Sequence, residues 1–195
     1  MARIGSEYTE SVIIDSILVI LLVIAGLSVA AQSKKFTPKK FSVNAGYAAT
    51  NPAYTTFYAN LGSSNIEASG GAFIGFNYNH ELSLNWSVIP EISFLSTKQS
   101  SHYRAASLVE YRVPSTSLNL LAGPQVNILN GRESELYKRG GFELTGGIGL
   151  DLSSRFYLEG RFSRGFLNRY KSDAPVDEGD SYFFQTFTIG LGFRF

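Results

Sequence analysis

From residue 41 onward, apolar residues recur at every second position. Phe41, Val43, Ala45 and Tyr47 share one parity, with Ser42, Asn44 and Gly46 between them. Ala72, Ile74, Phe76 and Tyr78 form a second run, and Leu84, Trp86, Val88, Pro90, Ile92 and Phe94 a third. A weaker fourth run holds Tyr103, Ala105, Ser107, Val109, Tyr111 and Val113. The fifth is Leu118 to Ile128, the sixth Phe142 to Leu150, the seventh Phe156 to Phe162, and the last Phe183 to Phe195. A period of two is the signature of a strand with one apolar face. After residue 32 no helical period of useful length competes with it.

The connections sharpen the picture. NHELS, VPSTS and DLSSR are tight turns rich in Asn, Ser, Pro and Asp. They alternate with longer stretches at about 49–70, 130–139 and 168–180, and only 97–101 is short on that side. Eight strands with short turns at one end and longer loops at the other predict an antiparallel up-and-down transmembrane β-barrel. Both mature chain ends would then lie at the short-turn, periplasmic end. Aromatics near the ends of the apolar faces, such as Phe41, Tyr78, Trp86, Phe94, Tyr103 and Phe156, fit two interfacial girdles.

The opposite face separates a membrane barrel from a soluble sandwich. In this register Glu91, Glu110, Glu143 and Glu159 point inward, together with Arg104, Arg112, Arg161 and Arg194. A dry core would not tolerate them. An eight-stranded barrel has an interior only wide enough for side chains. Charges of both signs there predict a filled, hydrogen-bonded lumen, because a selective pore would favour one sign. Closure also accounts for a last strand that runs to Phe195 without a polar tail, since it can pair with the first strand.

Composition supports this reading and narrows it. Charged residues make up 17% of the 195 and aromatics 14%, with 19 glycines. The formal net charge is +1, which gives no electrostatic case for nucleic acid. The chain has no cysteine, so disulfides, thiolate metal ligands and a lipid-carrying cysteine are excluded. Residues 17–31, ILVILLVIAGLSVAA, carry no charge and end in small residues. They predict a signal peptide over 1–31, cleaved after Ala31, and a barrel domain over 32–195. The acidic residues Glu7, Glu10 and Asp15 ahead of the cleavage site depart from the usual basic start, so a start downstream of Met1 is the alternative.

Several stretches carry a family likeness: FSVNAGY, ELSLNWSVIPEISF, LNLLAGPQVNIL, FELTGGIGLDL, FYLEGRFSRGFLN and FTIGLGFRF. With them the mature chain resembles the outer-membrane protein β-barrel domain family, whose PorT-like members are similar in length. The resemblance implies a barrel shaped like OmpX and the OmpA membrane domain, located in the outer membrane. It also implies that Phe193 and Phe195 form the C-terminal signal read by the barrel-assembly machinery. It implies no shared catalytic residues and no cofactor.

Candidate chemistry is sparse. His80 falls in a turn and His102 in a polar loop tip near the opposite rim, so they cannot share a metal. GGIGLD, at 146–151, fits the start of a calcium-binding nonapeptide, but such repeats need stacked copies. His102 with Ser100 or Ser101 offers a base and a nucleophile, and Glu133 or Glu135 could supply the third member of a triad. Arg132, Lys138, Arg139, Arg164 and Arg169 gather near the outer rim, where lipopolysaccharide phosphates lie. The leading expectation is a non-enzymatic barrel that acts as a scaffold through its extracellular loops, in adhesion, envelope integrity or secretion. Its expected partners are outer-membrane lipids, lipopolysaccharide among them, and a protein at the loops. Transport of a small solute or hydrophobic ligand is the alternative, and a rim lipid-modifying hydrolase stands third.

Overall fold

The computed structural model describes residues 39–55, 69–98, 100–131, 137–169 and 181–195. The expected signal segment and the loop residues Arg132, Glu133 and Glu135 lie outside them. Eight strands build the fold: β1 Phe41–Thr55, β2 Ser69–Tyr78, β3 Trp86–Thr97, β4 Ser100–Arg112, β5 Leu118–Gly131, β6 Gly140–Asp151, β7 Phe156–Gly165 and β8 Ser181–Arg194. Each is antiparallel to its sequence neighbour. β1 also pairs with β8, from Ser42↔Arg194 to Thr55↔Ser181, so the sheet closes on itself. The fold is the expected all-β barrel.

Two boundaries differ from the sequence pattern. β1 continues through Thr55, where the alternation suggested a loop from residue 49, because β8 supplies paired backbone along that whole length. β3 starts at Trp86 rather than Leu84. Leu84 sits in the turn at 90% exposure, and His80 and Glu81 pair with Val88 and Ser87 as a short extension of the β2–β3 hairpin.

The burial pattern inverts that of a soluble protein. Ile92 is 65% exposed on the outer wall, whereas Glu143 is 1% exposed inside. Such an outer surface suits contact with hydrocarbon. Aromatic side chains pair off at the end of the barrel that carries the short turns, called here the turn end. Trp86 packs on Tyr111 at 4.7 Å between centroids, Phe156 on Phe193 at 5.2 Å, and Phe41 on Tyr78 at 5.1 Å. Towards the opposite, loop end, Phe94 packs on Tyr103 at 5.2 Å.

The inner wall also buries apolar side chains that the alternation did not single out. Ile89, Leu108 and Leu121 form one cluster, Ala48, Phe73 and Leu95 a second, and Leu129 with Phe184 a third. Large groups fit because glycines face them. A Cβ at Gly192 would run into the Tyr157 ring, and one at Gly190 would lie 2.6 Å from Phe73 and 2.8 Å from the Ala45 carbonyl oxygen. Gly190→Leu is therefore expected to overpack the lumen, at a cost of about 1–3 kcal/mol. The check is the temperature at which the detergent-refolded barrel loses its folded band on a heat-dependent gel, which should fall.

Candidate functional site

Among the described residues, the lumen is where the strands bring polar chemistry together. At its centre Arg161, from β7, meets two carboxylates. Its Nη2 lies 2.8 Å from Glu91 Oε2 and its Nε 2.5 Å from Glu159 Oε1. All three side chains are buried. Glu91 comes from β3, across the barrel, so the cluster ties opposite walls together. Arg104, on β4, is also buried and forms no direct ion pair with the described carboxylates.

The turn end holds a second polar layer. Arg194 Nη2 lies 2.6 Å from Asp151 Oδ1, and its guanidinium stacks over the Tyr157 ring at 4.4 Å. The Tyr157 hydroxyl donates to Ser42 Oγ and accepts from Asn77 Nδ2. Arg112 bridges Glu110 at 2.9 Å and Glu81 at 3.0 Å. Arg112 and Arg194 thus stand at the mouth, partly exposed. Each finds an acid, Glu81 or Asp151, outside the inward carboxylates read from the alternation. A polar cavity beside this layer, lined by Ser42, Asn77, Glu110 and Glu159 among others, has room for about one water at ≈ 20 Å³.

At the loop end the side chains form a continuous chain. Ser100 Oγ lies 3.0 Å from His102 Nε2, and His102 Nδ1 lies 3.2 Å from Asn127 Oδ1. Asn127 Nδ2 donates to Glu143 Oε1 at 2.7 Å, and Gln125 Nε2 donates to Glu143 Oε2 at 2.6 Å. Arg169 Nη1 stands 4.0 Å from Glu143 Oε1. Its guanidinium donates to the carbonyls of Lys138 and Arg139 and lies 4.8 Å from the Phe184 ring centroid. Phe184 in turn meets the His102 ring edge-on at 5.7 Å. His102, Asn127, Glu143, Arg169 and Phe184 therefore close a ring of contacts across the loop end.

Two expectations are corrected here. His102 is not at a polar loop tip but buried at 1% exposure, because β4 starts at Ser100 and carries the ring inward. Arg169 is not an outward base. It is 2% exposed and folded over the lumen, where it contacts Glu143, two carbonyls and Phe184. Lys138, Arg139 and Arg164 are exposed at that end, and Arg164 sits on the outer wall in register with Leu144 and Gln185. His80 is exposed at the turn end, and the described residues contain no group of acids and histidines arranged to hold a metal. Phe193 and Phe195 lie on the outer wall 6.5 Å apart, and the Phe195 N–H donates to the Phe41 carbonyl at 2.9 Å.

A family model described as the outer membrane protein beta-barrel domain matches residues 19–195. The chain belongs to that family. This barrel is therefore an outer-membrane protein. No curated protein matches it. Among solved structures it is similar to the attachment invasion locus protein Ail of Yersinia pestis in complex with the heparin analogue sucrose octasulfate. That match has 13% identity, covers 82% of this chain and 100% of that one, and gives a TM-score of 0.51. Neisserial surface protein A is similar at 9% identity, with 80% and 97% coverage and a TM-score of 0.49. OprG of Pseudomonas aeruginosa has 11% identity, 81% and 96% coverage and a TM-score of 0.46.

The central cluster makes a graded prediction. Arg161→Ala leaves two buried carboxylates without their shared cation and should cost about 3–5 kcal/mol. Glu159→Ala leaves Arg161 its contact with Glu91 and should cost less. Thermal unfolding of both variants beside the parent tests the order.

Proposed function

We propose that this outer-membrane barrel is a non-conducting scaffold whose working surface is its extracellular loops, with the turn end in the periplasm. The observation that carries the reading is the packed lumen. A central cluster of three charges, three apolar clusters and a ring of contacts at the loop end leave little room for passage. The scaffold reading needs no turnover. Adhesion, envelope integrity and secretion support are the roles it accommodates, with the barrel-assembly machinery as the partner that reads Phe193 and Phe195.

Lys138, Arg139 and Arg164 suit the phosphates of lipopolysaccharide. An outward-facing arginine on a barrel wall is costly at mid-membrane and favourable at headgroup level, where phosphate accepts its forked N–H groups. Arg164→Glu should reduce the thermal stabilisation that added lipopolysaccharide gives the refolded barrel, by about 1.5–3 kcal/mol for one charge-assisted contact. An equal stabilisation in parent and variant would remove Arg164 from this role.

A second reading rests on the outer wall. An apolar groove of ≈ 550 Å³ runs across β1 to β5, lined by Val43, Phe76, Ile92, Phe94, Tyr103 and Val126 among others. It offers a hydrophobic ligand a path along the wall rather than through the lumen. Planar-bilayer recording of the refolded, gel-shifted protein separates both readings from a pore. The scaffold predicts silence. Reproducible current steps would make transport through the lumen the function.

A further inference from the structure

We infer that Ser100 is a base-activated nucleophile at the loop end of the lumen, able to take the acyl group of a carboxylic ester. This goes beyond the scaffold reading, which assigns the barrel no chemistry. Glu143 sets the direction of the whole hydrogen-bond chain. Two amide N–H groups and Arg169 are directed at its carboxylate, so it acts as the acceptor. Asn127 must then present its nitrogen to Glu143 and its oxygen to His102. That oxygen, 3.2 Å from Nδ1, can only accept, so Nδ1 carries the ring hydrogen. Nε2 is left as an acceptor, 3.0 Å from the Ser100 hydroxyl. The Thr97 hydroxyl, the other polar side chain that meets Ser100 Oγ among the described residues, is more distant at 3.4 Å and donates to the Ser100 carbonyl instead. The order nucleophile, base, orienting group is that of a serine triad, with Asn127 in the orienting place and Glu143 fixing Asn127.

Ser100 itself is 7% exposed, and its surroundings are apolar. Cross-strand register places Gly131 opposite Ser100, so no side chain stands over the hydroxyl from that position of β5. Leu95 and Leu129 flank His102 on the neighbouring strands, and Phe184 covers its edge. All three are buried and shield the base from bulk water. In the reaction, Oγ attacks the ester carbonyl while its proton passes to His102 Nε2. The C–O bond of the ester breaks, the proton goes to the departing alkoxide, and an acyl-serine and an alcohol result. Water, deprotonated by the same Nε2, then cleaves the acyl-serine to a carboxylic acid and restores the hydroxyl.

The test uses the full refolded barrel with an alkyl fluorophosphonate probe, read by intact mass and peptide mapping, with the heat-dependent gel shift confirming folding. The expected result is one adduct, on Ser100, absent in Ser100→Ala. His102→Gln should slow its formation by about a hundredfold, the weight of a general base. Asn127→Asp combined with Glu143→Gln keeps both an oxygen for the Nδ1 hydrogen and a hydrogen bond between positions 127 and 143, and should label far faster than Asn127→Leu at equal gel shift. A folded parent that stays unlabelled, or an adduct indifferent to His102→Gln, overturns the inference. If the His102 variant does not fold, the site of the adduct on the parent still decides. Bilayer silence without an adduct removes this inference and leaves the scaffold standing.

Discussion

Hydrocarbon offers no partner to a backbone N–H or C=O, and each one left unpaired inside it costs several kcal/mol. Eight strands of this chain meet that constraint through the seam between β1 and β8, which pairs the two edges that a flat sheet would expose. Closing the seam fixes the circumference. The circumference fixes the width of the lumen, and that width decides which side chains the inner face can carry. The outer face needs only to be apolar, with aromatic groups near its ends.

Inside, narrowness turns charge into a packing material. Arg161 reaches Glu91 across the barrel and Glu159 on its own strand, so one guanidinium joins walls that share no direct backbone pairing. Removing one member of such a buried set leaves the others uncompensated, which makes the arrangement specific even where it adds little net stability. The ring at the loop end works differently. It mixes hydrogen bonds, a cation over an aromatic face and an edge-on ring contact, and it recruits Arg169 from beyond the end of β7.

The parity of residues made the architecture legible. Alternation put Glu91, Glu110, Glu143, Glu159, Arg104 and Arg161 on the inner face, and their low exposure agrees with that placement. Register stayed out of reach. His102 and Asn127 are 25 positions apart, and only the pairing of β4 with β5 makes them neighbours. The Arg194–Asp151 contact was hidden for a related reason, since Asp151 reads as the opening of a turn. Arg169 departs from the pattern because nothing in local sequence says whether a residue just past a strand turns out to the lipid or back over the mouth. The Ser100 contact was within reach, because two residues of one parity on a strand share a face and His102 lies two positions on.

Gly46 and Gly190 face each other across the seam, and the Phe73 ring from β2 reaches past β1 to rest on Gly190. A side chain that spans from the second strand to the last can take that position only after the sheet has curled. In an open or partly curled sheet the same ring keeps Ala48 and Leu95 beside it but has no Gly190 to rest on. Phe73 is thus a clasp fastened at the end of assembly, and its environment would separate a finished cylinder from a chain that has formed every hairpin but not yet joined its edges.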